Sequence, residues 1–267
     1  MISVAAAIRA ALLTADPRAK AFAARAAARD WAAGRLPFVF DAAMPDQPAW
    51  PPRPELLAPQ QMPKRGVGGS GPGSERGRIA LWHALAHIEF VAIDLALDMA
   101  GRFGAEMGEE FVGDFLGVAA DEAMHFALLA RRLRALGSHY GALPAHGGLW
   151  QTAHATRHDV AARLAVVPMV LEARGLDVTP AMLERVRAGG DETGVRILKR
   201  ILDDEIRHVR VGTRHFIAHC ESRGESAPEL WKSLVARHFA GGLKPPFNDS
   251  ARAAAGLPRS FYAGIAS

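Results

Sequence analysis

The chain has 267 residues, 49% of them apolar and 22% charged, and a formal charge of +4. That length can bury a full core, and the composition is that of an ordinary soluble globular protein. A disulfide scaffold is excluded, because the lone cysteine, Cys220, has no second thiol to pair with in the chain; it fits a reducing compartment, the cytoplasm.

The charge excess is mild and no run of five Lys/Arg occurs, so nucleic acid finds no support as a partner. Arg9 interrupts the apolar N-terminal stretch, which argues against a signal peptide. No stretch is read as approaching the roughly 20 apolar residues of a membrane span.

In chain order, residues 3 to 34 read as two Ala-rich helices split at Asp16-Pro17, where proline suits a first helical turn. Residues 36 to 78 carry nine of the 17 prolines, eight of them before "GVGGSGPGS". They read as an irregular arm lying over the domain, a lid or a homodimer contact. A helix is expected from 75 to 102, ending near Gly101 to Gly104, and a second from 106 to 136, stopping at Gly137. After "SHYGALPAHGG" a third begins near Trp150, is kinked by Pro168 and breaks at "RGLDVTP", with a short helix from 180 to 188 beyond. A fourth spans 191 to 221, one more covers 227 to 240, and the end is irregular. The expected class is all-α, one domain overall: residues 1–78 as appended helices and arm, 79–222 as a four-helix bundle, and 223–267 as an extension.

Two motifs carry chemistry. "DEAMH" at 121–125 and "DEIRH" at 204–208 are both Asp-Glu-x-x-His. On a helix the Glu and His, three apart, project from one face, giving the pairs Glu122/His125 and Glu205/His208. Thirty-three residues before each Glu stands another, Glu89 and Glu172, inside the apolar runs "LAHIEFVAID" and "VVPMVLEARG". A single offset of 83 relates the two sets, and it also relates Asp121 to Asp204 and Asp94 to Asp177. One Glu from each of two helices and Glu-x-x-His from each of two more is the inward-facing donor set of a dinuclear carboxylate centre in a helical bundle. Paired divalent cations need anionic oxygens to offset their repulsion, and imidazole adds a nitrogen donor. Four buried glutamates without a cation would be costly.

The lines "LWHALAHIEFVAIDLALD", "VAADEAMHF", "VPMVLEARGLDVTP" and "DDEIRHV" resemble the ferritin-like di-iron carboxylate superfamily, in particular a bacterial branch of unknown function, over residues 30 to 255. The resemblance implies metal ligands at Glu89, Glu122, His125, Glu172, Glu205 and His208, two iron ions, and a reaction with O₂ or peroxide fed by a separate reductase. Manganese is not separable from iron on these residues, and zinc could stand in. Asp121 and Asp204 are placed to accept the free ring N–H of a bound imidazole. With Arg207 completing "DEIRH", the motif is similar to that of oxygen-activating members such as multicomponent monooxygenases. The four glutamates would then be catalytic as well as metal-binding. The alternatives are iron handling (ferroxidase or peroxide scavenging) and a tRNA-hydroxylase-like enzyme.

Other residues read as structural. His83 and His87 lie about 120° and 160° round the helix from Glu89 and are expected to pack between bundle and arm. His154 and His158 share the face of Glu172, about 20 to 27 Å away if the helix is unbroken. Tyr140 is 15 residues past His125, about 22 Å along a helix, which argues against a radical-generating subunit. Trp82, seven before Glu89, reads as core beside the site, and Cys220 as an inert buried thiol.

Overall fold

The computed structural model describes residues 1–62 and 73–264; the "PKRGVGGSGP" portion of the arm, 63–72, lies outside the described residues. Among the described residues the chain is helical with no strand, apart from an isolated bridge between Leu56 and Ala145. It divides into two compact units, Met1–Trp150 and Gln151–Ser267, and the division falls between the two halves of the repeated motif.

In the first unit α1 (Val4–Leu12) and α2 (Pro17–Ala32) are split as expected, with Asp16 capping α2 by accepting from the Ala19 N–H at 2.7 Å. The unit is built on α3 (Glu75–Met107) and α4 (Glu109–Ala135), a hairpin joined at Gly108, whose φ of 93° only glycine adopts without strain. Helix α3 outruns its expected end at Gly101–Gly104. A Cβ at Gly101 would lie 2.3 Å from Met44 Sδ, and one at Gly104 2.5 Å from Val112 Cγ2 and 2.6 Å from Phe40. Both glycines therefore admit close neighbours inside a continuing helix.

The arm is tied to this unit by its backbone. The amides of Val4 and Ala5 donate to the carbonyls of Pro37 and Val39, Ala49 N–H to Leu12, and Leu57 and Ala145 donate to Ala145 and Glu55. An 18-residue window of α3 does have the length and mean hydropathy, 1.5, of a membrane span, contrary to the sequence reading. Two thirds of that window is buried in the chain and it holds buried Glu and Asp, so it is a core helix.

The second unit departs further from expectation. After α5 (Gly148–His154) the chain turns at 155–159 and resumes as α6 (Val160–Val166), so the helix expected from Trp150 is broken before Pro168. At Pro168 it widens into a π-helical segment, Val167–Glu172. It then continues as α7 (Ala173–Ala188), straight through "RGLDVTP". Pro180 lacks the N–H that would bond the Leu176 carbonyl four residues back. The Asn248 side-chain amide donates to that carbonyl instead, at 3.1 Å, and this lets the helix run on. Helix α8 (Glu192–Ser222) and α9 (Ala227–His238) match the reading, whereas the irregular end contains α10 (Asp249–Ala254) and α11 (Arg259–Tyr262). Helix α8 crosses the π segment closely: a Cβ at Gly212 would fall 2.3 Å from Pro168 Cβ and Cγ.

Candidate metal centre

Helices α3 and α4 bring Glu89, Glu122 and His125 together. One ligand atom from each lies within 4.8 Å of the others, and all three side chains are buried. His125 Nδ1 sits 3.2 Å from Glu89 Oε2 and 3.3 Å from Glu122 Oε2. Burial and the neighbouring Glu122 charge hold the Glu89 carboxyl well above the usual carboxylate range. Burial alone would lower the His125 pKa; hydrogen bonds and charge from Glu122 and Glu89 overcome it and push it up to about 11. Two carboxylates and an imidazole converging out of water fit a first-row divalent cation by their donor chemistry. A proton shared among them is what such a cation would replace.

The second unit repeats the spacing. On α8, Glu205 and His208 are buried with Glu205 Oε1 3.7 Å from His208 Nδ1, and Glu172 ends the π segment, half-buried. Glu89 sits in regular α-helix, but its counterpart is presented by a π turn, a rare element that recurs at functional sites. The end of α6 that leads into it is held from α9, where the Trp231 indole donates to the Ala165 carbonyl at 3.2 Å.

Of the flanking acids, Asp204 is buried between Arg200 at 2.5 Å and Arg207 at 2.6 Å, both on its own helix, and Asp121 is half-buried on α4. Arg207 thus braces Asp204.

The other offset pair has a role the spacing did not reveal. Five residues past Glu89 and Glu172, each of Asp94 and Asp177 is buried and meets a cation from an appended segment. Lys20 of α2 reaches Asp94 Oδ1 at 2.6 Å, and Arg252 of α10 grips Asp177 with Nε at 2.8 Å and Nη2 at 2.7 Å. Lys20 also donates to the Ala49 carbonyl, and Asp177 accepts from the Asn248 backbone N–H. The helical stretches that follow Glu89 and Glu172 are therefore pinned at the same repeat position. Neither cation could be found from the repeat, because α2 and α10 lie outside it.

Histidines 83 and 87 hold the connection after α4. His83 Nε2 accepts from the amides of Gly141 at 2.9 Å and Leu143 at 3.4 Å. Tyr140 donates to His87 Nδ1 at 3.0 Å, and His87 Nε2 contacts the His146 carbonyl at 3.2 Å. Burial lowers both imidazoles to about 4, so both are neutral. Tyr140 is not carried away along a helix: α4 ends at Ala135 and the chain folds back. Its ring centroid lies 5.4 Å from Phe90 and 5.1 Å from Phe126, so the separation of about 22 Å expected along a helix does not apply. The same ruler fails for His154 and His158, because the helix is interrupted between them and Glu172; Arg157 bonds His154, and His158 is exposed. Trp82 is buried as expected, and burial pushes the Cys220 thiol up to about 11.

No solved structure matches the chain. It is 43% identical over 215 residues to an uncharacterized protein of Haemophilus influenzae, covering 78% of this chain and 73% of that protein. A family model matches residues 13–263, nearly the whole length, and the chain belongs to that family, described as a protein of unknown function (DUF455).

Proposed function

We propose that the protein is a non-haem oxidoreductase of the ferritin-like kind, with one dinuclear centre held by Glu89, Glu122, His125, Glu172, Glu205 and His208. The observation that carries this reading is the convergence of three buried donors in the first unit, at positions the second unit repeats with one offset. Iron bound there would supply one-electron chemistry toward O₂ or peroxide, which no side chain can perform alone.

The chain's own residues have defined tasks. The glutamates supply the negative charge that offsets two divalent cations, and each histidine a nitrogen donor. The Asp94–Lys20 and Asp177–Arg252 pairs fix the helices that present Glu89 and Glu172. Electrons would come from a separate reductase protein.

Metal analysis of protein made in iron-replete medium tests this, with wild type beside Glu122→Ala and Glu205→Ala. About two irons per chain, lost in both variants, is the expected result. Metal-free, stably folded wild type would overturn it, and uptake far beyond two per chain would favour iron storage.

A further inference from the structure

The net charge is unevenly distributed. Residues 1–150 carry fifteen Lys/Arg and fifteen Asp/Glu, while residues 151–267 carry seventeen against thirteen, so the whole excess of +4 lies in the second unit. Six of those seventeen cations line one face of α8, and Glu192 and Glu221 stand exposed at its two ends. Arg196, Lys199, Arg200, Arg207, Arg210 and Arg214 recur at helical spacing and are all exposed, with Asp203 the one exposed acid among them. From 196 to 214 the stripe is about 27 Å long. No linear run of basic residues marks it, because the helix gathers what the sequence spaces apart.

The stripe is partly preorganised. Arg210 is held by two bonds to the Ala254 carbonyl, at 3.1 and 2.7 Å. Arg200 and Arg207 flank Asp204 and keep 56% and 53% of their side-chain surface exposed.

We infer that the outer face of α8 docks the phosphate backbone of a nucleic-acid duplex, without reading base sequence. A straight row of cations complements the regular charge of a duplex, about one phosphate per 1.7 Å of axis. The surface around it decides against other polyanions. The large exposed hydrophobic residues among those described all lie between Met1 and Ile88, so none projects from this face into a lipid interface, and its aliphatic neighbours Ile206 and Val211 are half-buried. It likewise lacks the aromatic platforms on which single strands stack and the apolar anchor a protein partner would fill. The inference is independent of the metal reading.

The test is fluorescence anisotropy of the full chain with a 20-base-pair RNA duplex and a DNA duplex of the same sequence, between 50 and 200 mM salt. About four phosphate contacts give a log–log salt slope near −3 to −4. Arg196→Gln/Lys199→Gln/Arg214→Gln should flatten that slope by about 2 to 3 and weaken binding at least about tenfold at 50 mM salt. Arg223→Gln/Arg237→Gln, off the stripe, should bind as wild type. If the triple variant does not fold, Lys199→Glu alone gives the decision by the same weakening. Four outcomes each overturn the inference: no duplex binding at 50 mM salt, equal loss in the off-stripe variant, single strands of equal length bound as tightly, or capture by phosphatidylserine vesicles in place of the duplexes.

Discussion

Lys20→Met isolates what the buried cation does for the helix that carries Glu89. Lys20 and Asp94 are each fully buried, with 0% of either side chain exposed. Burial raises the Asp94 carboxyl to about 7, against the opposing pull of Lys20, and lowers Lys20 against the pull of Asp94. Both directions say that desolvation outweighs the mutual attraction, as is common for buried pairs. Removing one partner then leaves a stranded charge, and Lys20→Met should cost about 3–5 kcal/mol at pH 8. Removing both, in Lys20→Met/Asp94→Leu, should recover most of that loss. The sign with pH follows from the carboxyl. A raised pKa means the folded state holds a proton that the unfolded state releases above its ordinary value of 3.8, so the burden on the folded state grows as pH rises from there to about 7. At pH 5 a lone Asp94 protonates and Lys20→Met should cost less. Urea unfolding of the four members of the cycle at pH 5 and pH 8 measures all of this. A cost for Lys20→Met that is the same at both pH values, or a double variant no more stable than the single one, would refute the account.

Other expectations follow from single contacts. Asn248→Ala strips the Leu176 carbonyl of the donor that replaces the Pro180 amide and removes the cap of α10; a loss of about 1–3 kcal/mol in thermal unfolding is expected. Gly212→Ala drives a Cβ into Pro168 and should cost about 1–3 kcal/mol, with metal content falling because Glu172 ends the same π segment. Wild-type metal content in a destabilised Gly212→Ala protein would separate packing from metal holding. His83, neutral with a pKa of about 4, takes up a proton on unfolding anywhere between there and its ordinary 6.5. Stability should therefore fall as pH drops through that window, by up to about 1.4 kcal/mol per pH unit, and His83→Gln should flatten the dependence by about one proton.

The parts that were legible in the sequence are those that one helix can encode. Glu122 and His125 declare themselves by their three-residue spacing, and the shared offset of 83 links each such pair to a distant Glu. What remained hidden depends on long-range closure. Gly101 and Gly104 read as helix ends because glycine usually stops a helix, yet here they make room for Met44 and Phe40 of the arm. "RGLDVTP" reads as a break because Pro180 cannot donate to the Leu176 carbonyl, yet Asn248, 72 residues beyond Leu176, donates in its place. The repeat in Asp94 and Asp177 was visible, but its meaning was not, since Lys20 and Arg252 come from opposite ends of the chain and from helices that share no pattern.

That asymmetry bears on how the site could have arisen. The offset of 83 relates the candidate ligands and the buried aspartates alike. Each copy, taken alone, would bury an aspartate with no cation, a cost the fold must offset. The two solutions differ chemically: a flexible ammonium shared with the Ala49 carbonyl in one unit, a two-pronged guanidinium on a carboxylate that also takes the Asn248 amide in the other. Lys20→Arg and Arg252→Lys should therefore both be harmful, the first because the larger fork does not fit a fully buried ammonium site, the second because one of two bonds to Asp177 is lost. Thermal unfolding that leaves either exchange within about 0.5 kcal/mol of wild type would show that the pocket reads charge alone.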